Sequence, residues 1–267
     1  MPELPEVETF AHQLKTKLIR KTILSADLRW NRTLATPSPK KFKEQIQGQK
    51  IVDVGRRAKY LIIQLKDYDL IIHLRMSGDL LIRDSTIRPA KHDRLIIKLS
   101  GGQTLAFNDT RKFGRVWLTA NPVEVLGKLG PEPLSKEFTP QWLHEALQSK
   151  HRQLKPLLLD QTFIAGLGNI YTDEALNIAK LHPAAGSDSV NRKQAQALHE
   201  AIRTVLRHGI KRNGASIDWA YRGGQFQNYF RVYDQEGKPC PRCGTTIQKM
   251  IIGQRGTHFC PKCQTVR

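Results

Sequence analysis

Pro2, Glu3 and Glu6 bring one potential amine and two carboxylates to one end of the chain. A residue as small as proline behind an initiator generally permits removal of Met1, which would expose a secondary amine. An α-amino group titrates at about 7.7–8.0 in model compounds and lysine at about 10.4, so at neutral pH the former is far more often deprotonated and nucleophilic. Such an amine can attack an electrophilic sugar carbon and form a Schiff base. Glu3 and Glu6, three residues apart, fall on one face of a first helical turn, where paired carboxylates can protonate a leaving group and stabilise charge, as in glycosidic chemistry. The competing reading is architectural: Pro2 and Pro5 start a helix, and the acids complement its dipole.

A second chemical cluster lies at the other end. All four cysteines fall there, Cys240 and Cys243 in one CxxC pair, Cys260 and Cys263 in the next, with sixteen residues between the pairs. This spacing matches a tetrahedral zinc site in which the metal screens thiolates that would otherwise repel one another. Four cysteine ligands leave no open position, so one Zn2+ would be structural. Redox or disulfide use of the pairs is the alternative, although their clustering is unlike a secreted disulfide scaffold.

The 43 Lys and Arg against 24 Asp and Glu give a net charge of +19, beyond what solubility needs, and a polyanionic partner is the default implication. Runs such as Leu70 to Leu74 fall far short of the ~20 apolar residues of a membrane span. The start of the chain lacks the basic-then-apolar order of a signal peptide. A cytoplasmic protein with no membrane association is expected.

Positioning these groups requires elements, and the periodicity supplies them. Val7, Phe10, Ala11, Leu14 and Leu18 recur at helical spacing and predict an amphipathic helix over residues 4 to about 20. From about 22 to 118 the pattern turns to short strand-like runs, among them 60–65, 70–74, 94–99 and 115–118, a β-sandwich or barrel-like domain. The Gly130-Pro-Glu-Pro133 stretch marks a boundary. Beyond it helical periodicity returns, with helices over 169–180 and 191–212 joined by a turn-rich stretch from His182 to Asp188. Strands 245–252 and 257–259 around Gly253-Gln-Arg-Gly256 predict a metal-carrying β-hairpin. The expected class is α+β, divided as 1–133, 134–235 and 236–267.

The opening Met-Pro-Glu-Leu-Pro-Glu-Val-Glu-Thr, Asp109-Thr-Arg-Lys-Phe-Gly114, Gly166-Leu-Gly-Asn-Ile-Tyr171 and the four-cysteine module, in that order, resemble the formamidopyrimidine-DNA glycosylase family nearly end to end. The resemblance implies an N-terminal helix with a β-sandwich, a helical domain with a helix-two-turn-helix motif, and a zinc finger. It also implies a bifunctional glycosylase and apurinic/apyrimidinic-site lyase. Such an enzyme flips oxidised purines out of double-stranded DNA, excises them, and cleaves the strand by β,δ-elimination without an organic cofactor.

By that resemblance Pro2 is the Schiff-base nucleophile, Glu3 the general acid and Glu6 a supporting carboxylate. Lys59 contacts phosphates and donates a proton in β-elimination, and Arg255, in the hairpin turn, clamps phosphates and assists δ-elimination. His73, His92 and Lys150 match DNA-contact positions. Asn169 opens a predicted helix, where free N–H groups favour a phosphate and where it would serve equally as an N-cap. Met76, Arg111 and Phe113 match the side chains that fill the vacated stack: thioether for volume, ring as wedge, guanidinium for the orphaned base.

One stretch departs from the family pattern. Ser216 to Asn228 is shorter than the family's Gly, Ser and Thr-rich capping loop and carries Trp219, Tyr221 and Phe226, which puts a strong 8-oxoguanine preference in question. Those aromatics either stack on a flipped base or pack the loop against the helices. Two other functions remain open at this point, an endonuclease VIII-like glycosylase for oxidised pyrimidines and a non-catalytic zinc-containing DNA-binding protein. A monomer is expected, since nothing resembles a dimerisation helix.

Overall fold

Helix α1 (Leu4–Leu18) starts with Pro5 in its first turn, where a missing N–H costs nothing, and ends with Lys15 and Lys17 near the negative end of its dipole. Its apolar stripe, Val7, Phe10, Ala11, Leu14 and Leu18, is buried. The computed structural model describes residues 1–216 and 223–265; Trp219 and Tyr221 lie outside the described residues. The chain forms two compact units, one built on Met1–Lys128, the other on Leu129–Ala215 with the chain from Gly224 onward.

In the first unit α1 packs on strands β3 (Ile51–Arg57) and β4 (Tyr60–Leu65). These belong to a five-stranded sheet completed by β2 (Leu34–Thr36), β5 (Asp69–His73) and β9 (Arg115–Thr119), in the order β2-β9-β5-β4-β3. The opposing sheet holds β1 (Ile23–Leu28), β6 (Gly78–Asp84), β7 (Asp93–Leu99) and β8 (Gln103–Asp109), in the order β1-β7-β8-β6. Inward residues of both sheets, such as Ile63 and Ile72 from one and Leu95, Ile97, Leu99 and Leu105 from the other, share one core with α1, as in an aligned sandwich. Within the region expected to be strands, α2 (Pro39–Ile46) is a helix. Proline at its start and Phe42 and Ile46, one turn apart and fully buried, account for it. A short helix, α3 (Val123–Leu126), follows the sandwich.

The second unit contains α4 (Pro140–Gln148), α5 (Leu154–Leu159), α6 (Asn169–Ala179) and α7 (Arg192–Lys211), then the hairpin β10 (Gln248–Ile252) and β11 (Arg255–Phe259). Helix α7 opens with an Asn191/Gln194 capping box and buries Leu198, Ile202, Val205, Leu206 and Gly209 along one face. A Cβ at Gly209 would stand 2.5 Å from the Tyr171 ring, so only glycine lets α7 approach α6 there. The expected α+β class, sandwich followed by helices and hairpin, is what the structure has. No helix among the described residues is long and apolar enough to cross a membrane.

Candidate active site and nucleic-acid interface

At the start of α1, Glu3 occupies the N-cap and Glu6 the third helical position, and each side chain accepts the other's backbone N–H, that of Glu3 reaching Glu6 Oε2 at 2.8 Å. This reciprocal capping box fixes both carboxyls at the N-terminal end of α1, which Pro2 directly precedes in the chain. All three residues are buried, although carboxylates normally stay in water. Arg56 pairs with Glu8 at 2.5 Å, tying α1 to the end of β3 that carries the next candidate. That candidate is Lys59, in the two-residue turn between β3 and β4, where Arg57 pairs with Tyr60 and Ala58 takes a left-handed φ of 53°. Lys59 is only 5% exposed.

His73 ends β5, opposite Tyr60 and Arg115, with its ring edge-on to Tyr60 at 4.6 Å between centroids. Burial, with the cations of Arg75 and Lys59 beside it, pushes its pKa down to about 3. The ring is therefore neutral near pH 7. Its Nδ1 accepts the Arg75 N–H at 3.0 Å, which places the ring proton on Nε2 as a donor. His92 is half-buried, and its Nδ1 lies 3.2 Å from an Arg94 guanidinium nitrogen.

Met76 and Phe113 are large apolar side chains left 39% and 48% exposed. The Arg111 guanidinium lies over the Phe113 ring, 4.9 Å from its centroid. Both Arg111 and Phe113 sit in the turn between β8 and β9, whose backbone is held by the fully buried carboxylate of Asp109.

The second unit presents a separate set. Lys150 is exposed just past the end of α4. Asn169 is the first residue of α6, and the N-cap position belongs to Gly168. The Asn169 side chain does not cap the helix. Its Nδ2 instead donates to the Gly256 carbonyl at 2.9 Å, and its Oδ1 is buried without a hydrogen-bond partner. Arg255 is also differently placed than expected. The turn is Gly253-Gln254, with φ values of 54° and 61°, and Arg255 opens β11 paired with Ile252. A two-residue turn with both φ positive matches the strand twist, so it displaces Arg255 into the ladder, where its side chain is exposed.

The Gly256 carbonyl next to it accepts two donors, Asn169 Nδ2 and Lys155 Nζ, each at 2.9 Å. Lys155 pairs with Asp173 at 2.6 Å, both side chains fully buried, and Asp173 also accepts the His258 N–H at 2.9 Å. One residue on, Glu174 accepts the N–H groups of Arg231, Val232 and Tyr233 at 2.9–3.0 Å; burial pushes its carboxyl pKa up. Asn177 Nδ2 donates to Gln264 Oε1, which also accepts the Cys260 N–H, both at 2.9 Å. Helix α6 is thus the seat of the whole terminal module.

The four cysteine sulfurs of that module lie within 4.8 Å of one another. Cys243 Sγ is 3.5 Å from Cys260 Sγ and 3.4 Å from Cys263 Sγ, far from the ~2.05 Å of a disulfide and near the ~3.8 Å that tetrahedral Zn–S bonds of about 2.3 Å imply. The set fits one structural Zn2+ held by Cys240, Cys243, Cys260 and Cys263, with no position left for substrate.

Three family models cover most of the chain: the formamidopyrimidine-DNA glycosylase N-terminal domain over residues 1–116, its H2TH domain over 129–220, and a zinc finger found in FPG and IleRS over 237–266. The chain belongs to the formamidopyrimidine-DNA glycosylase family. It is 44% identical over 274 residues to the formamidopyrimidine-DNA glycosylase of Protochlamydia amoebophila, covering 99% of both chains. The corresponding protein of Chloroflexus aurantiacus is 46% identical over 272 residues, covering 99% of this chain and 98% of its own. Among solved structures, a Lactococcus lactis FPG mutant in complex with a Fapy-dG containing DNA matches with a TM-score of 0.92 and 38% identity, over 98% of this chain and 99% of that one. MutM in complex with DNA containing carbocyclic 8-oxo-G matches at 39% identity with the same TM-score and coverage.

Against this formamidopyrimidine-DNA glycosylase framework, the residues to which the motifs give no role are the supports: Asp109, which opens one of those motifs, and Ser77, Lys155, Asp173, Glu174 and Gln264. A signal exists for three of them. Lys155 interrupts the apolar Leu154 to Leu159 run, and Asp173-Glu174 interrupts α6, and charges inside apolar helical faces are usually paired. Of the loop aromatics, Phe226 is 2% exposed and stacks on Tyr171 at 5.1 Å, so it packs against the helices and presents no face to a base.

Proposed function

We propose that this protein is a bifunctional DNA glycosylase and apurinic/apyrimidinic-site lyase of base excision repair, which excises oxidised purines, formamidopyrimidines and 8-oxoguanine, from double-stranded DNA. The observation that carries the reading is the reciprocally capped, buried Glu3/Glu6 pair beside Pro2. After loss of Met1, the Pro2 nitrogen attacks C1′ of the flipped nucleoside as the glycosidic bond breaks and the base leaves with a proton from Glu3. The Pro2 nitrogen then gives up its own proton to Glu3, which passes it to O4′ as the C1′–O4′ bond opens, leaving an iminium between Pro2 and C1′. The resulting iminium acidifies the C2′ hydrogen, and its removal expels the 3′ phosphate; a second elimination expels the 5′ phosphate. Glu6 holds the amine and sugar in register.

In the same reading Lys59 and His73, a cation and a neutral N–H donor, hold phosphates beside the lesion. Arg255, Asn169 and Lys150 do so from the second unit, and His92 contacts the backbone. Met76, Arg111 and Phe113 occupy the vacated stack, offsetting a flipping cost of a few kcal/mol. The chain acts as a cytoplasmic, nucleoid-associated monomer, with functional divisions at 1–133, 134–235 and 236–267.

Borohydride trapping on duplexes carrying a formamidopyrimidine, 8-oxoguanine or an abasic site tests the reading. Wild type is expected to form a covalent adduct that Pro2→Gly greatly weakens, and Glu3→Gln is expected to lose base excision while retaining adduct formation on the abasic duplex. No adduct on any duplex, from protein verified to lack Met1 and to hold zinc, overturns the lyase and leaves a DNA-binding protein. Preference for oxidised pyrimidines on the same panel would overturn the substrate class.

A further inference from the structure

Asp109 is the last residue of β8, pairs with Gly78 across the sheet and is fully buried. Its Oδ1 accepts the Ser77 hydroxyl and the Arg111 N–H, the latter at 3.2 Å, and its Oδ2 accepts the Gly114 N–H at 2.7 Å. The Arg111 N–H also reaches Ser77 Oγ at 3.1 Å. One carboxylate therefore holds both flanks of the turn that carries Arg111 and Phe113. Through Ser77 it also holds the residue that directly follows Met76.

A second observation points the same way. Cβ atoms built at Gly78 and Gly114 would lie 2.8 Å and 2.3 Å from the ring of Phe107, which is 1% exposed. The two turns thus rest on one buried ring. Nothing in the proposed chemistry uses Asp109 or Ser77 directly.

We infer that Asp109 and Ser77 are positioning residues that couple the Met76 turn to the Arg111 and Phe113 turn, so that the three side chains enter the DNA stack as one preformed insert. The inference rests on the stack-filling role proposed above for those side chains. A preformed insert has already lost conformational freedom, so less is lost when DNA binds. Severing the coupling therefore acts on the step in which the void is filled and spares chemistry on DNA that has no stack to fill.

The experiment uses full-length, zinc-loaded protein and the variants Ser77→Ala, Ser77→Thr and Asp109→Asn. In the DNA-free protein, amide exchange at Arg111 and Gly114 should accelerate about tenfold in Asp109→Asn, the measure of a lost charged hydrogen bond. On lesion-containing duplex, Ser77→Ala should lower kcat/KM about tenfold, with Ser77→Thr restoring it. On a single-stranded abasic oligonucleotide, borohydride trapping by Ser77→Ala should stay within about twofold of wild type. In a Met76→Ala background the Ser77→Ala loss should shrink to about twofold, since coupled neighbours are not additive. Equal losses on duplex and single strand, full additivity with Met76→Ala, or unchanged exchange in Asp109→Asn would overturn the coupling. Absence of any adduct from wild type would instead sink the lyase reading, and the exchange measurement would still decide whether the two turns are joined.

Discussion

His73 illustrates how burial sets the chemistry available to one residue. Its folded pKa of about 3 lies below the 6.5 of an exposed histidine, so between those values the unfolded chain binds the proton and the folded one does not. Stability must therefore fall as pH drops through that window, by up to about 1.4 kcal/mol per pH unit from this group. Urea unfolding of wild type and His73→Gln at several pH values checks this: the stability difference should shift in favour of the glutamine variant as pH is lowered from 7 to 4. A constant difference would show that the ring titrates alike in both states. Because the neutral ring keeps its proton on Nε2, activity should show no limb near pH 6.5 that His73→Gln removes.

Among elements, the hairpin β10–β11 depends on what seats it. Lys155→Met leaves Asp173 buried without its cation, and breaking such a pair typically costs about 3–5 kcal/mol; scanning calorimetry should show the loss in the transition of the second unit. Chelating the zinc should raise amide exchange along β11 and the Cys260 to Gln264 turn while leaving β4 and β5 protected, because the metal ligands all belong to the second unit. Exchange rising equally in both units would contradict that.

The same elements show what a sequence discloses. Long periodic segments such as α1 and α7, the 60–65 strand and the cysteine spacing are legible because their signal is local. Helix α2 is not, since eight residues with two buried apolar positions hardly disturb a strand-like region. Arg255 lies in the ladder and not in the turn, because the Gly253-Gln-Arg-Gly256 run does not reveal that two residues suffice to reverse the chain. The Asp109 to Ser77 bond spans 32 residues and the Lys155 to Gly256 bond 101; a charge inside an apolar run shows that a partner must exist, but no local pattern names a partner so far along the chain.

For the whole molecule, the net charge of +19 implies that counterion release dominates association with DNA. If Lys59, Lys150 and Arg255 each neutralise one phosphate, they alone set a slope of about −3 for log K against log salt, and each alanine substitution should reduce it by about 1. Fluorescence anisotropy between about 50 and 300 mM salt measures it; an unchanged slope in all three variants would remove them from the phosphate contacts. Finally, α6 places Asn169 at its first turn and Asp173, Glu174 and Asn177 farther along, where they seat the terminal module. Those tasks are locked in rotational phase. Inserting a single residue between Tyr171 and Asp173 would turn everything beyond it by about 100°, swinging the seat of the metal module away from the face set by Asn169. Lengths can drift in loops between elements, but this helix can change only by substitution.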